Sequence, residues 1–303
     1  MSTLLILDTP AISDFDLSSF AEWLLEEGRS QKTIQAYQSD LGIFIAFFAE
    51  ICAEAFSPEL VTAQDLRKFR EHSRELKSAT WNRRLISLRL YFRFCKEKKL
   101  IRFNPMDRAG LHRREKQKAA PKSLSRNDFA RLARVIDQDL NTARTENQRR
   151  LALRNRAMFG VMAYGALRVG EVHELRASHL LLSDRKGKIH VAHGKRDKEG
   201  DVNLGREGRI MINDWLEIHE DDADLFDGVS VRQVQRWLAE VGQRAGVHVT
   251  PHMLRHTAIR NVMVASGFDL ALTQQFARHS RGDQTLRYAL PQEEEIERVV
   301  ENL

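Results

Sequence analysis

Four segments with apolar residues at helical spacing fill the first third of the chain, and this pattern constrains the fold more than any other feature. Residues typical of helix termini separate the segments: Gly28, Ser30, Thr62 and Ser78. Asn104 and Pro105 end the series, because a proline cannot continue a helix. The pattern predicts a helical domain over residues 15–111, preceded by an N-terminal extension over residues 1–14.

The next segment, residues 112–122, has no apolar periodicity and is basic, which predicts a linker between two domains. The remaining residues, 123–303, have a mixed pattern. Helical spacing recurs at 125–135, 147–163, 231–244 and 253–265. Short alternating stretches at 188–192, 201–204 and 209–212 predict three antiparallel strands. The expected fold is mainly α, with a helical first domain and an α+β second domain that contains a small antiparallel sheet.

Positive charge is concentrated in one block of the sequence. Residues 1–66 hold 2 Lys and Arg against 11 Asp and Glu, a net charge of −9, whereas residues 67–118 hold 18 against 5, a net of +13. Such a block indicates a polyanionic partner, and double-stranded DNA fits it. A solvated helix face without a partner is the alternative. The candidate DNA-binding residues are Arg83, Arg84, Arg89, Arg93, Lys96, Arg113, Arg114 and Lys116.

Composition excludes several classes of protein. The chain has only two cysteines among 303 residues, which argues against a disulfide framework and against a cysteine metal cluster. The apolar residues 4–7 have no preceding Lys or Arg, as a signal peptide would have. The longest apolar run, residues 41–49, is too short for a membrane span. These features predict a cytoplasmic protein.

The last quarter of the chain holds the residues that carry chemistry. His252 and Arg255 are spaced to lie on one face of a helical turn, and His279 and Tyr288 follow. Arg168 lies upstream, after a turn of small residues. Two guanidinium groups can bind the oxygens of a phosphodiester, and a phenol can attack its phosphorus to form a covalent intermediate. Such a set needs no metal and no cofactor.

A proton donor for the leaving oxygen is expected in the polar turn between two predicted strands. Lys195 is the candidate, and Arg196 and Lys198 in the same turn remain alternatives. The pair His252 and His256 does not predict a zinc site, because no glutamate follows His252 and no third ligand is near. The sequence also lacks a Walker loop and a carboxylate cluster for two metals.

These motifs resemble the tyrosine recombinase, or phage integrase, family over nearly the whole chain. The resemblance implies a core-binding domain in the first half and a catalytic domain in the second. Matched by position, the catalytic set is Arg168, Lys195, His252, Arg255, His279 and Tyr288, with Glu171 supporting Arg168. The family forms a 3′-phosphotyrosine, releases a 5′-hydroxyl and resolves a Holliday junction. We therefore expect a site-specific DNA recombinase that works without metal or ATP.

The resemblance also implies a DNA target of paired inverted half-sites, bound by one dimer per site and by a tetramer in synapsis. The apolar residues Ile296, Val299, Val300 and Leu303 form a stripe on a predicted C-terminal helix, 292–303. That helix is expected either to dock into a neighbouring protomer or to pack on its own domain.

Some positions depart from the family pattern. Arg278 stands where a glycine is usual, Asn155 where an aspartate is common, and residues 289–291 differ from the polar turn of the chromosome-dimer-resolving Xer branch. These departures favour a recombinase of a mobile element or plasmid. The residues before position 15 are too few for an arm-site-binding domain, so recognition of core sites only is expected. A type IB topoisomerase and a catalytically silent DNA-binding regulator are the alternatives.

Overall fold

A computed structural model of the chain describes residues 14–52, 55–114, 120–192, 199–219, 224–291, 296–297 and 300–301. The chain divides into two compact units, residues 1–117 and 118–303. No helix in the described part of the chain combines the length and apolar character that a membrane span requires.

The first unit is entirely helical where the structure describes it. Its helices are α1 (Asp14–Glu26), α2 (Gln31–Cys52), α3 (Ala63–His72), α4 (Ser78–Glu97) and α5 (Met106–Ala109). Aromatic side chains from four of these helices form the core, among them Phe20, Phe44, Phe69 and Tyr91. Thr62, which the sequence indicates as a helix terminus, begins α3 with a capping box, because the Thr62 and Asp65 side chains each bond to the other residue's backbone N–H.

The first residues of the predicted linker lie against α4. The indole Nε1 of Trp81 donates to the carbonyl of His112 at 3.2 Å. The Asn82 amide makes two hydrogen bonds of 2.8 Å with the backbone of Arg114. Residues 112–114 therefore belong structurally to the first unit. The central part of the linker, residues 115–119, lies outside the described residues.

The second unit is built around α7, which packs against α6, α9 and α11. Its elements are α6 (Arg126–Asn141), α7 (Glu146–Gly165), α8 (Val169–His173), a 3-10 turn (Ala177–His179), β1 (Leu180–Leu182), β2 (Gly187–Val191), β3 (Gly200–Asn203), α9 (Arg206–Leu216), α10 (Val231–Ala245), α11 (Pro251–Ala265), α12 (Leu270–Ala277) and α13 (Gly282–Leu286). Phe159 and Met162 of α7 are fully buried at the centre of its core.

The three strands form an antiparallel sheet in the order β1-β2-β3, as the fold class predicts. The strand predicted at residues 209–212 is wrong, because this segment belongs to helix α9. Met211, Ile212 and Trp215 are buried at helical spacing, and a four-residue alternating pattern could not distinguish this from a strand. The third strand is instead β1, whose three consecutive leucines have no alternation to mark them.

Candidate active site

Helix α11 supplies several side chains of the site. The Thr250 hydroxyl accepts the backbone N–H of Met253 and Pro251 occupies the first turn, so the helix begins at a defined residue. His252 and His256 then lie one turn apart, with ring centroids separated by 6.3 Å. Arg255 points into the domain from the same turn and is only 4% exposed.

Arg255 connects two helix C-termini. Its guanidinium donates to the carbonyl of Ala166, the residue that caps α7. It also donates, at 2.6 Å, to the carbonyl of Ala277, the last residue of α12. Carbonyl groups at helix ends lack partners within the helix and favour a cation. Burial, with the charge of Arg168 nearby, lowers the pKa of Arg255 to about 10, so the group remains cationic at neutral pH.

Arg168 lies at the start of α8 and shares an acidic partner with another arginine. Glu171 is buried, and its carboxylate accepts the Arg168 backbone N–H at 2.8 Å and side-chain Nη1 at 2.7 Å. The same carboxylate accepts Nη2 of Arg278 at 2.6 Å. Burial acts to raise the pKa of Glu171, but the charges of Arg278 and Arg168 outweigh it and hold that pKa below its ordinary value.

Tyr288 is enclosed between two histidines. Its side chain is almost fully buried, and its hydroxyl lies 2.6 Å from Nδ1 of His256. The ring of His279 stacks beside it, with centroids 5.8 Å apart and planes inclined by 24°. Burial raises the pKa of Tyr288, although Arg255, Arg287 and Arg168 act in the opposite direction. The phenol is therefore neutral at physiological pH in this state.

Both histidines that flank Tyr288 are uncharged near neutral pH. The pKa of His256 falls to about 4, mainly through burial and then through His252, Arg255 and Arg287. The pKa of His279 also falls to about 4, through burial and then Arg255, Arg168 and His256. Nδ1 of His279 bonds to the Thr285 hydroxyl at 2.8 Å, which orients the ring. A neutral His256 can accept the phenol proton at Nδ1.

The structure brings together five of the six side chains predicted for catalysis, with Glu171, within one part of the second unit. These are Arg168, His252, Arg255, His279 and Tyr288. Lys195 lies outside the described residues. The strands on either side of its turn are paired, with Val191 opposite Gly200.

Three site residues were missed by the sequence prediction. His256 lies one helical turn after His252, so helical spacing could have identified it. Arg260 lies one turn further, is buried and donates to the Tyr288 carbonyl. Arg278 is 107 residues from Glu171, and no local spacing indicates their ion pair.

Several predicted DNA-binding residues contact their own domain. Arg83 and Arg84 both lie against the buried carboxylate of Asp40, at 2.8 and 3.5 Å. Arg93 pairs with Glu27 and Glu97 and lies over the Trp23 ring.

Arg114 has the most extensive set of these contacts. It donates three hydrogen bonds to the carbonyls that follow α3, those of Ser73, Arg74 and Leu76. These contacts give Arg83, Arg84, Arg93 and Arg114 structural roles that the sequence did not predict.

The other predicted DNA-binding residues are exposed where the structure describes them. Arg89 is exposed and donates to the Leu111 carbonyl at 2.7 Å. Lys96 and Arg113 are exposed, and Lys116 lies outside the described residues. Binding of DNA by this set remains a prediction.

Comparison with known proteins agrees with this geometry. The model of the phage integrase family matches residues 133–295, and that of the phage integrase N-terminal SAM-like domain matches residues 17–99. Tyrosine recombinase XerC of Chromobacterium violaceum is 31% identical over 289 residues, which cover 91% of this chain and 89% of the relative. XerC of Salmonella typhi is 31% identical over 294 residues and 92% of each chain.

Solved structures show the same fold at lower identity. XerH recombinase bound to its difH substrate has a TM-score of 0.69 at 19% identity, and the match covers 96% of this chain and 84% of XerH. A lambda integrase dimer bound to a COC′ core site has a TM-score of 0.66 at 17% identity, with coverage of 90% and 94%. The predicted side chains gather around a buried tyrosine, and the chain belongs to the phage integrase family and is a Xer-like tyrosine recombinase.

Proposed function

We propose that this enzyme cuts and rejoins double-stranded DNA at specific sites through a covalent bond between Tyr288 and a 3′-phosphate. The observation that carries the proposal is the phenol of Tyr288, held 2.6 Å from a neutral histidine and close to the buried cation Arg255. Family membership and the XerC relatives support the same reaction class. Because Tyr288 is only 3% exposed, DNA binding must uncover it before attack.

In the cleavage step, the phenol oxygen of Tyr288 bonds to phosphorus and its proton passes to Nδ1 of His256. A pKa of about 4 makes His256 a weak base in the free enzyme, but a phosphodiester anion beside the ring favours the protonated form. The bond from phosphorus to the 5′ oxygen breaks, and that oxygen takes a proton from the β2–β3 turn. Lys195 is the proposed donor, with Arg196 and Lys198 as alternatives.

The two arginines act on the charge that develops at phosphorus. Arg255 is fixed by its two carbonyl contacts, and Arg168 lies beside it at the start of α8. Each guanidinium can bind two nonbridging oxygens, and fixed donors stabilise a transition state more than a mobile solvent does. We assign His252, exposed on the first turn of α11, a further contact to a nonbridging oxygen.

Rejoining reverses these steps with another strand. A 5′-hydroxyl attacks the phosphotyrosine, the phenol leaves, and the DNA backbone is restored without an external energy source. Exchange between two sites requires two such rounds and passes through a Holliday junction. We propose a dimer on each pair of inverted half-sites and a tetramer in synapsis. The C-terminal segment, in which Ile296 and Val300 expose half or more of their side chains, is the proposed contact between protomers.

We also propose that the enzyme belongs to a plasmid or another mobile element and acts in the cytoplasm. The departures from the family pattern at Arg278, Asn155 and residues 289–291 support the mobile-element context. A low cysteine content suits a reducing compartment.

Denaturing capture of the protein from the cells that carry its gene tests the proposed reaction. Covalently attached DNA should map to discrete sites, and its free 5′ ends should accept label from a kinase without phosphatase treatment, because they are hydroxyl groups. Activity on paired sites, with no relaxation of an unrelated supercoiled plasmid, separates a recombinase from a topoisomerase. Absence of covalent DNA, despite specific binding, would identify a silent regulator instead.

A further inference from the structure

Arg278 occupies a backbone position where a side chain is unfavourable. It closes α12 in the left-handed conformation, with φ 52° and ψ 43°, and its N–H donates to the carbonyls of Gln274 and Gln275. Glycine is the usual residue at such a helix end, because a Cβ is crowded there. An arginine at this position therefore suggests that its side chain has a role that outweighs the backbone strain.

The Arg278 side chain is directed into the domain, towards the catalytic arginines. It is 13% exposed, and its Nη2 lies 2.6 Å from the carboxylate of Glu171. Its stem lies near the start of β3, since a Cβ added to Gly200 would be 3.6 Å from Arg278 Cδ. Its Nε is buried and has no hydrogen-bond acceptor among the described residues. The side chain thus joins the end of α12 to α8 and approaches the sheet.

The Glu171 carboxylate serves two guanidinium groups of unequal exposure. Arg168 is 28% exposed and Arg278 is 13% exposed, whereas Glu171 is only 4% exposed. Arg168 is therefore the partner better able to turn outward to a phosphate. If it did so with no second arginine present, the Arg168 backbone N–H would be the one partner left to Glu171 among the described residues. A buried carboxylate without a cation is strongly unfavourable, so Glu171 would hold Arg168 back.

We propose that Arg278 is a positioning residue that neutralises Glu171 while Arg168 turns from this carboxylate to the DNA phosphate. In the free enzyme the carboxylate is shared between the two arginines. In the cleaving complex Arg278 keeps Glu171 as its partner, and Arg168 becomes available to the transition state. This inference rests on the proposed cleavage reaction and adds a third arginine to it, one that acts through Glu171 and Arg168 rather than on DNA.

A double-mutant cycle between Arg278 and Glu171 tests this role in the full-length enzyme. The substrate is a duplex that carries inverted half-sites, which wild-type protein has selected from a random library. A nick near the cleavage site lets the short cleaved strand diffuse away, so that the covalent product accumulates. Single-turnover cleavage at saturating enzyme is measured together with DNA affinity. R278G should slow cleavage by at least about tenfold with affinity changed by less than about twofold, as expected for an interaction made in the transition state.

The same substitution should have little effect when Glu171 carries no charge. In the E171Q background, R278G should change the cleavage rate by less than about threefold, because no buried anion remains to restrain Arg168. R278Q, which keeps a long side chain without charge, should behave like R278G, and R278K should recover most of the rate. An effect of R278G that is equal in both backgrounds, as for a direct phosphate contact or a distorted loop, overturns the proposal. So does R278Q cleavage at the wild-type rate.

Cleavage by the wild-type enzyme distinguishes failure of the proposed function from failure of the proposed role of Arg278. If wild-type enzyme forms no covalent adduct on any selected site, the proposed function fails and this inference fails with it. If wild-type enzyme cleaves but the cycle shows no coupling, only the role of Arg278 is wrong. Thermal unfolding of each variant checks that the compared proteins are folded. R278G should fold, because glycine readily adopts the left-handed conformation of this position.

Discussion

Nδ1 of His256 lies 2.6 Å from the phenol oxygen of Tyr288, although 32 residues separate them in sequence. Because burial keeps this imidazole neutral, it can accept the phenol proton directly. Arg260, one turn further along α11, donates to the Tyr288 backbone carbonyl. Helix α11 therefore holds both the hydroxyl and the main chain of Tyr288, which ties the position of this residue to that of the helix.

The two buried histidines predict how stability depends on pH. His256 and His279 have a pKa near 4 in the folded enzyme against an ordinary value of 6.5, so the unfolded chain takes up protons first as the pH falls. The contribution of these two histidines to the free energy of unfolding is therefore fully present above about pH 6.5 and is lost progressively as the pH falls to about 4. Urea unfolding midpoints of wild type and of H256N/H279N at about pH 7 and pH 5 check this.

The double variant should lose less stability over this interval than wild type. The matched control is H248N, which replaces an exposed histidine outside the site. Equal losses in wild type and the double variant would show that these rings do not titrate as assigned.

Replacing either arginine of the proposed phosphate contact, Arg168 or Arg255, by lysine should affect cleavage far more than binding. R168K and R255K keep a positive charge but lack the planar fork, and removal of one donor to the transition state costs roughly 10²–10³ in rate. R255K should also lower the melting temperature, because a lysine cannot bond to the Ala166 and Ala277 carbonyls in the same way. R232K, an exposed arginine on α10, is the control. Rates within a few-fold of wild type would assign both arginines a structural role only.

The basic block should contribute to DNA affinity through its exposed members. Neutralising the exposed Arg89, Lys96 and Arg113 together should weaken binding and reduce the salt dependence by about one unit of slope for each phosphate that the variant no longer binds. R114A should instead mainly lower thermal stability, since its guanidinium bonds to three carbonyls after α3. Affinity measured over a range of salt concentrations distinguishes these effects, and an unchanged slope in the triple variant would mean that this surface does not meet DNA.

The C-terminal segment should matter for assembly more than for binding to one half-site. Truncation after Pro291 removes Ile296 and Val300, whose side chains are exposed. Single half-site binding should be nearly intact, cooperative binding to paired half-sites should be abolished, and cleavage should change. Gel-shift titrations on one and two half-sites measure this, and full cooperativity in the truncated protein would indicate that the segment packs only on its own domain.

Sequence patterns predicted most of the longer helices, because local spacing encodes them, and five of the six residues predicted for catalysis lie together in the structure. The helix starts that Thr62 and Ser78 indicate are those of α3 and α4. What the sequence could not supply is contact between distant segments. Tertiary packing brings Arg278 to Glu171, and Arg83 and Arg84 to Asp40. It also decides that residues 209–212 form part of helix α9 and not the predicted strand.

The central claim is that Tyr288 forms the covalent bond to DNA, and its most direct test is Y288F on a nicked duplex carrying a selected site. Phenylalanine fills the same buried space but lacks the attacking oxygen, so site-specific binding should persist. Under denaturing electrophoresis, wild-type enzyme should yield a protein–DNA adduct and Y288F should yield none. An adduct that still forms with Y288F would contradict the assignment of Tyr288 as the nucleophile.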